Sequence, residues 1–153
     1  MTIRRAFPEE ATTLTQIALD AKRHWGYPEH WIKHWESDLT ISSDFIRDNH
    51  VYVADEDGEI RGFYALCVSG DKAELEHLWV TPACIGTGIW KELFLDAMER
   101  AAAVDVHNVE LTADPNAAGF YERMGAVQIG EAESVIDGQI RKLPRMRKPR
   151  RDA

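Results

Sequence analysis

The chain has 153 residues, 44% hydrophobic and 29% charged, enough to bury one core without disulfides or metals. No apolar run approaches a membrane span, Met1-Thr2-Ile3-Arg4-Arg5 lacks a signal peptide's apolar segment, and Cys67 and Cys84 show no metal or disulfide spacing, so a cytoplasmic protein with no membrane partner is expected. Net charge is −8, yet seven of the 18 basic residues lie at 141–151 and leave residues 1–140 at −14; an acidic body argues against a nucleic-acid partner and favours cationic amines.

Thr2–Ala6 reads as a strand. Pro8, with Glu9 and Glu10 in the first turn, opens a helix to about His24, along which Leu14, Ile17, Ala18 and Ala21 keep helical spacing. Pro28 starts a second helix to about Asp38, and Ser42 or Ser43 caps a short third one ending at Asn49. Val51–Ala54 and Ile60–Val68 are strands joined by the hairpin turn Asp55-Glu56-Asp57-Gly58. After Ser69-Gly70-Asp71 comes the strand Lys72–Val80, then a glycine-spaced turn and a helix to about Ala103. Asn108–Ala113 reads as a strand, Asn116–Met124 as a helix, and Ala126–Ala132 and Gln139–Met146 as strands. With the short third helix left out, the order β-α-α-β-β-β-α-β-α-β-β puts antiparallel hairpins first and crossovers later, which predicts a mixed sheet with helices on its faces. The chain divides into one domain over 1–146 and a basic, solvated tail over 147–153.

The turn at 80–94 carries the first chemical signal. Gly86 and Gly88 lack a Cβ and let the backbone approach a ligand closely, and the helix that follows offers free N–H groups and its positive dipole end to an anion. On the preceding strand, strict alternation puts Glu74 and Glu76 on one face and Leu75, His77 and Trp79 on the other, unless a bulge intervenes. Residues 24–35 hold three of the six histidines and three of the five tryptophans. His30 and His34 stand at metal-ligand spacing, but the Glu of H-E-x-x-H is missing and no third ligand lies nearby, so no metal is expected.

Two segments carry a family resemblance: Leu78-Trp79-Val80-Thr81-Pro82 with Gly86-Thr87-Gly88-Ile89, and Asp114-Pro115-Asn116-Ala117-Ala118-Gly119-Phe120-Tyr121-Glu122-Arg123-Met124-Gly125-Ala126. In both, and in element order from about residue 2 to 146, the chain resembles the GNAT superfamily of acyl-CoA-dependent N-acyltransferases. The resemblance implies an α/β (α+β) fold with a mixed, mostly antiparallel, six-to-seven-stranded sheet flanked by helices on both faces. It also implies transfer of an acetyl or short acyl group from acetyl-CoA to a primary amine of a small molecule or peptide, by direct attack in a ternary complex. A weak acyl-CoA-binding sensor or subunit is the alternative, and a homodimer is compatible with either.

By resemblance, the CoA contacts fall on Leu78, Trp79, Val80, Ile85, Gly86, Thr87, Gly88, Ile89, Trp90, Asn116 and Phe120. Ile85 and Trp90 stand where the family has a polar and a small residue, so the N–H groups of residues 86–90 are left to hold the phosphates. Tyr121 takes the position of the family's acid toward the leaving thiolate, and Glu74 or Glu76 that of the base. Asn116 reads equally as an N-cap. The acceptor wall falls on Trp25, Tyr27, His30, Trp31 and His34. Cys84 has no paired base and is not expected to act as a nucleophile.

Overall fold

The chain is described here from a computed structural model covering residues 1–149; the rest of the basic stretch, residues 150–153, lies outside the described residues. Strand β1 (Thr2–Arg5) is followed by a 3-10 turn (Pro8–Glu10), α1 (Ala11–His24), α2 (Glu29–Leu39), α3 (Ser43–Asp48), β2 (His50–Glu56), β3 (Glu59–Ser69) and β4 (Lys72–Val80). A second 3-10 turn (Pro82–Cys84) leads to α4 (Ile89–Ala103), and β5 (Asn108–Thr112), α5 (Ala118–Arg123), β6 (Val127–Ile136) and β7 (Gln139–Pro149) complete the described residues. The seven strands form one sheet in the order β1-β2-β3-β4-β5-β7-β6. Only β4 and β5 run parallel, as expected where a helix crosses between neighbouring strands.

Alternation on β3 builds both halves of the core. Phe63 and Ala65 pack with Leu14, Ile17, Ile32, Trp35 and Ile46 of α1, α2 and α3. Tyr64 and Leu66 point the other way, to Leu93, Phe94 and Ala97 of α4 and Tyr121 of α5. Gly62 sits where β3 meets β4 and α4: a Cβ there would lie 2.7 Å from the Trp79 carbonyl oxygen and 2.8 Å from a Val80 methyl.

Three local features depart from the sequence reading. The strand expected to end at Ala132 runs to Ile136, because Asp137 and Gly138, both at positive φ, close a two-residue hairpin onto Gln139. Strand β7 continues to Pro149, so Arg147 and Lys148 of the expected tail belong to the sheet. On β4, Ala65 faces His77 while Leu66 faces Leu75. Glu76 is therefore a bulge residue, and the side-chain phase shifts there. Leu75 joins Leu78 and Val80 on the α4 face, whereas Trp79 packs on the α1 side. The expected grouping of Leu75 with His77 and Trp79 is corrected by that bulge.

Candidate active site

The parallel pairing of β4 with β5 covers only Lys72, Ala73 and Glu74 against Asn108, Val109 and Glu110. Beyond Glu74 the strands part, and among the described residues no strand pairs with that edge of β4. Peptide groups of residues 75–80 thus face a cleft, lined by Ala21, Trp25, Glu76, Trp79, Ile85, Trp90, Asp114 and Tyr121, that encloses a cavity of about 70 Å³. Water occupies about 30 Å³ per molecule in the liquid, so the enclosed space takes a group about the size of two waters, and anything longer must lie along the open cleft.

The glycine turn closes one end. Gly86 and Gly88 hold φ of 84° and 89°, and a Cβ added at either would meet open space. Glycine is needed there for its backbone angles and leaves room beside the loop. Helix α4 starts directly after Gly88, so its first N–H groups are free for an anion. One expected donor is already used: the Thr87 N–H donates to the Cys84 carbonyl (3.2 Å). The Ile89 side chain is buried in the core, leaving only its backbone for a ligand, whereas Leu78 and Val80, also buried, line the cavity.

Trp90 turns inward and stacks on Phe120, with ring centroids 4.6 Å apart and planes at 11°. Its edge meets Tyr121. Among the described residues the buried indole N–H meets no acceptor at hydrogen-bonding geometry; it lies near the Tyr121 hydroxyl, which favours the ionised phenol. Burial, and then the charge of Asp114, outweigh that influence and raise the Tyr121 pKa well above the usual phenol range. Tyr121 therefore stays protonated at any physiological pH, the form an acid needs.

The structure separates the two glutamates. Glu74 accepts two hydrogen bonds from Arg145, at 2.6 and 3.0 Å, and Arg145 also reaches Glu110 and Thr112. Glu76, on the bulge, lines the cavity. Burial, together with Glu76, pushes the Cys67 thiol up to about 12, so that thiol is inert.

Of the expected acceptor wall, Trp25 lines the cavity. Tyr27 and Trp31 do not; with Trp35 they enclose the chain's own cations. The Lys22 ammonium lies 4.3 Å from the Trp35 ring centre and 5.0 Å from that of Tyr27, and the Arg141 guanidinium sits over Tyr27, Trp31 and Trp35. Asp114 is the hub: it accepts from Lys22 at 2.7 Å, from the Tyr27 hydroxyl and from the Asn116 backbone. Burial pushes the Asp114 carboxyl up, but Lys22 and these hydrogen bonds more than offset it and hold the pKa below the usual range. Burial lowers Lys22 although Asp114 opposes it, and burial together with Asp114 pushes Tyr27 up to about 12.

Asn116 donates to Tyr27 and Asp114 and does not cap α5, whose N-cap is Ala117; Asp114 makes the turn instead. His30 pairs with Asp137 at 2.7 Å on the surface, joined by the Trp31 indole, and His34 is exposed; neither lines the cavity. Lys22, Asp114, Arg141 and Arg145 went unread. Asp114-Pro115-Asn116 is a turn signal that could have marked Asp114, but nothing local announces ion pairs spanning 71 to 92 residues.

Residues 11–147 match the family model described as an acetyltransferase (GNAT) domain. The chain is 29% identical over 138 residues to the 5-NmdU N-acetyltransferase of Pseudomonas phage PaMx11, covering 85% of this chain and 89% of that one. Its fold matches the PaiA N-acetyltransferase of Thermoplasma acidophilum in complex with coenzyme A (TM-score 0.77, 23% identity, 97% and 98% of the two chains). It also matches the ribosomal-protein-S18-alanine N-acetyltransferase of Escherichia coli (TM-score 0.75, 18% identity, 99% and 95%).

Proposed function

The chain belongs to the GNAT acetyltransferase family, and on that footing we propose that it transfers an acetyl group from acetyl-CoA to a primary amine by direct attack in a ternary complex. One observation carries the reading: the unpaired edge of β4, Ile85 and Trp90 on either side of the glycine turn, and Tyr121 all line one cleft. The free N–H groups at the start of α4 hold the pyrophosphate, and the β4 edge hydrogen-bonds the pantetheine amides. Glu76 takes a proton from the ammonium through water, so that the amine attacks as a neutral nucleophile. The β4 backbone beside the bulge, at Leu78 and Trp79, receives the oxyanion. Tyr121 gives its proton to the departing thiolate and regains one from the attacking nitrogen, which must shed a second proton to end as the neutral amide. The small cavity favours an acetyl group over longer chains.

The acceptor is an amine of a small molecule or peptide in this reading. A second acceptor is favoured by one specific likeness, the 29% identity to an enzyme whose name states 5-NmdU as its substrate. We infer a cytoplasmic location from the cosubstrate. Thermal unfolding with CoA and with acetyl-CoA tests the cleft. A ligand at a hundred times its Kd stabilises by about 2.7 kcal/mol, which raises Tm by several degrees. Absence of any shift at saturating acetyl-CoA removes the cofactor assignment, and Gly88→Ala should shrink the shift by straining the loop.

A further inference from the structure

Beside Glu76 the bulge also aims His77, which the proposed reaction does not use. The Trp79 indole N–H, which can only donate, lies 3.0 Å from His77 Nδ1. Nδ1 must therefore be the acceptor, and the neutral ring carries its proton on Nε2. Phe45 packs edge-on to the imidazole at 5.9 Å and Phe63 lies at 6.1 Å, which holds the ring against rotation. Burial lowers its pKa to about 4 despite the nearby charge of Asp38, so the ring is neutral wherever an acetyltransferase works. Among the described residues the Nε2–H has no partner.

The ring lines an open hollow on the α2 side of the sheet, together with Asp38, Glu74, Glu76 and Thr112. Leu75, Glu76 and Thr112 border both this hollow and the cleft cavity, so the two spaces meet where β4 leaves β5. An acceptor entering from the α2 side meets Glu76 at that junction and His77 beside it. With its lone pair held by Trp79, His77 cannot take a proton from the incoming ammonium. It can only donate.

We propose that His77 reads the acceptor, its Nε2–H donating to an oxygen the acceptor carries three bonds from the attacking nitrogen. The acceptor class is then a primary amine with a neighbouring carbonyl or hydroxyl oxygen, and a plain alkylamine is rejected. This rests on the transfer reading above for what the hollow holds. A hydrogen-bond donor left unmet on such a wall weakens binding about tenfold to a hundredfold.

The test uses two probes of matched shape, glycinamide and 2-methylallylamine, whose terminal methylene replaces the carbonyl oxygen. Long-range proton–nitrogen NMR of the CoA-loaded protein, with His77 assigned by its loss in His77→Gln, reports tautomer and contact together. The expected spectrum shows His77 as the neutral Nε2–H form from about pH 6 to about pH 9; glycinamide moves its Nε2–H signal and 2-methylallylamine does not. Trp79→Phe should admit the other tautomer. An imidazolium or Nδ1–H form at neutral pH overturns the proposal, as does an equal response, or none, to both amines. No turnover enters these spectra, so glycinamide bound at His77 without thiol release contradicts acetyl transfer and leaves this inference standing.

Discussion

Tyr121 and Trp90 define the chemistry at the scale of single residues. Tyr121→Phe removes the only hydroxyl proposed as acid while keeping the ring against Phe94 and Phe120. General acids contribute about a hundredfold to ten-thousandfold, so kcat should fall by at least about a hundredfold with the KM for acetyl-CoA little changed. Steady-state thiol release decides it, and an unchanged kcat discards the assignment. Trp90→Phe keeps the stack on Phe120 but deletes a buried N–H that meets no acceptor at hydrogen-bonding geometry among the described residues. Leaving such a donor unmet costs about 1–3 kcal/mol. The free variant should therefore unfold no earlier than the parent, while its acetyl-CoA KM rises several-fold if the cofactor meets that N–H. Tyr121 and Trp90 were readable as positions in the chain, because the glycine turn and the Phe-Tyr pair are local patterns. The division between Glu74 and Glu76 was not. It depends on Arg145, which lies 71 residues beyond Glu74, and on a bulge that no alternation of side chains announces.

At the scale of elements, the site depends on how strands and helices are tied together. Gly62→Ala would drive a methyl against the Trp79 carbonyl and the Val80 side chain, prising β3 from β4 behind the cleft. Overpacking of this kind costs about 1–3 kcal/mol, read as a lower urea midpoint at unchanged slope.

The Lys22–Asp114 pair ties α1 to the end of β5, with both side chains almost fully buried. Removing one partner strands a buried charge, so Lys22→Met should destabilise by about 3 kcal/mol. The folded pKa of Asp114 is depressed. Its contribution is therefore complete above the ordinary aspartate pKa of about 4 and disappears as pH falls through the folded value. Urea midpoints measured down the acid range should drop less steeply in Asp114→Asn than in the parent; parallel curves contradict this. The outline of the elements was largely legible, since turn glycines and apolar periods are local. The long β6–β7 hairpin was cut short because the Asp137-Gly138 turn went unread, and with it the position of Arg141 over the α2 aromatics.

Across the whole molecule, one topological fact makes the active site: a single parallel pair in an otherwise antiparallel sheet, joined for three residues and then opening. The acidic body suits an ammonium acceptor, and the basic stretch is largely drawn into the sheet, where Arg145 and Arg147 meet Glu74 and Glu110. Composition could indicate a cation-seeking surface but not the hollow by which an amine enters.

The most direct measurement incubates the protein with isotope-labelled acetyl-CoA and a panel of amines that includes glycinamide and 5-NmdU, and follows acetyl-amine by mass spectrometry beside free thiol. The expected result is at least one amine acetylated on nitrogen in step with thiol release, and abolished or strongly slowed turnover in Tyr121→Phe. Acetyl-CoA that binds and stabilises the protein yet is consumed only at the uncatalysed rate with every amine would contradict it, and would make the chain a binder rather than an enzyme.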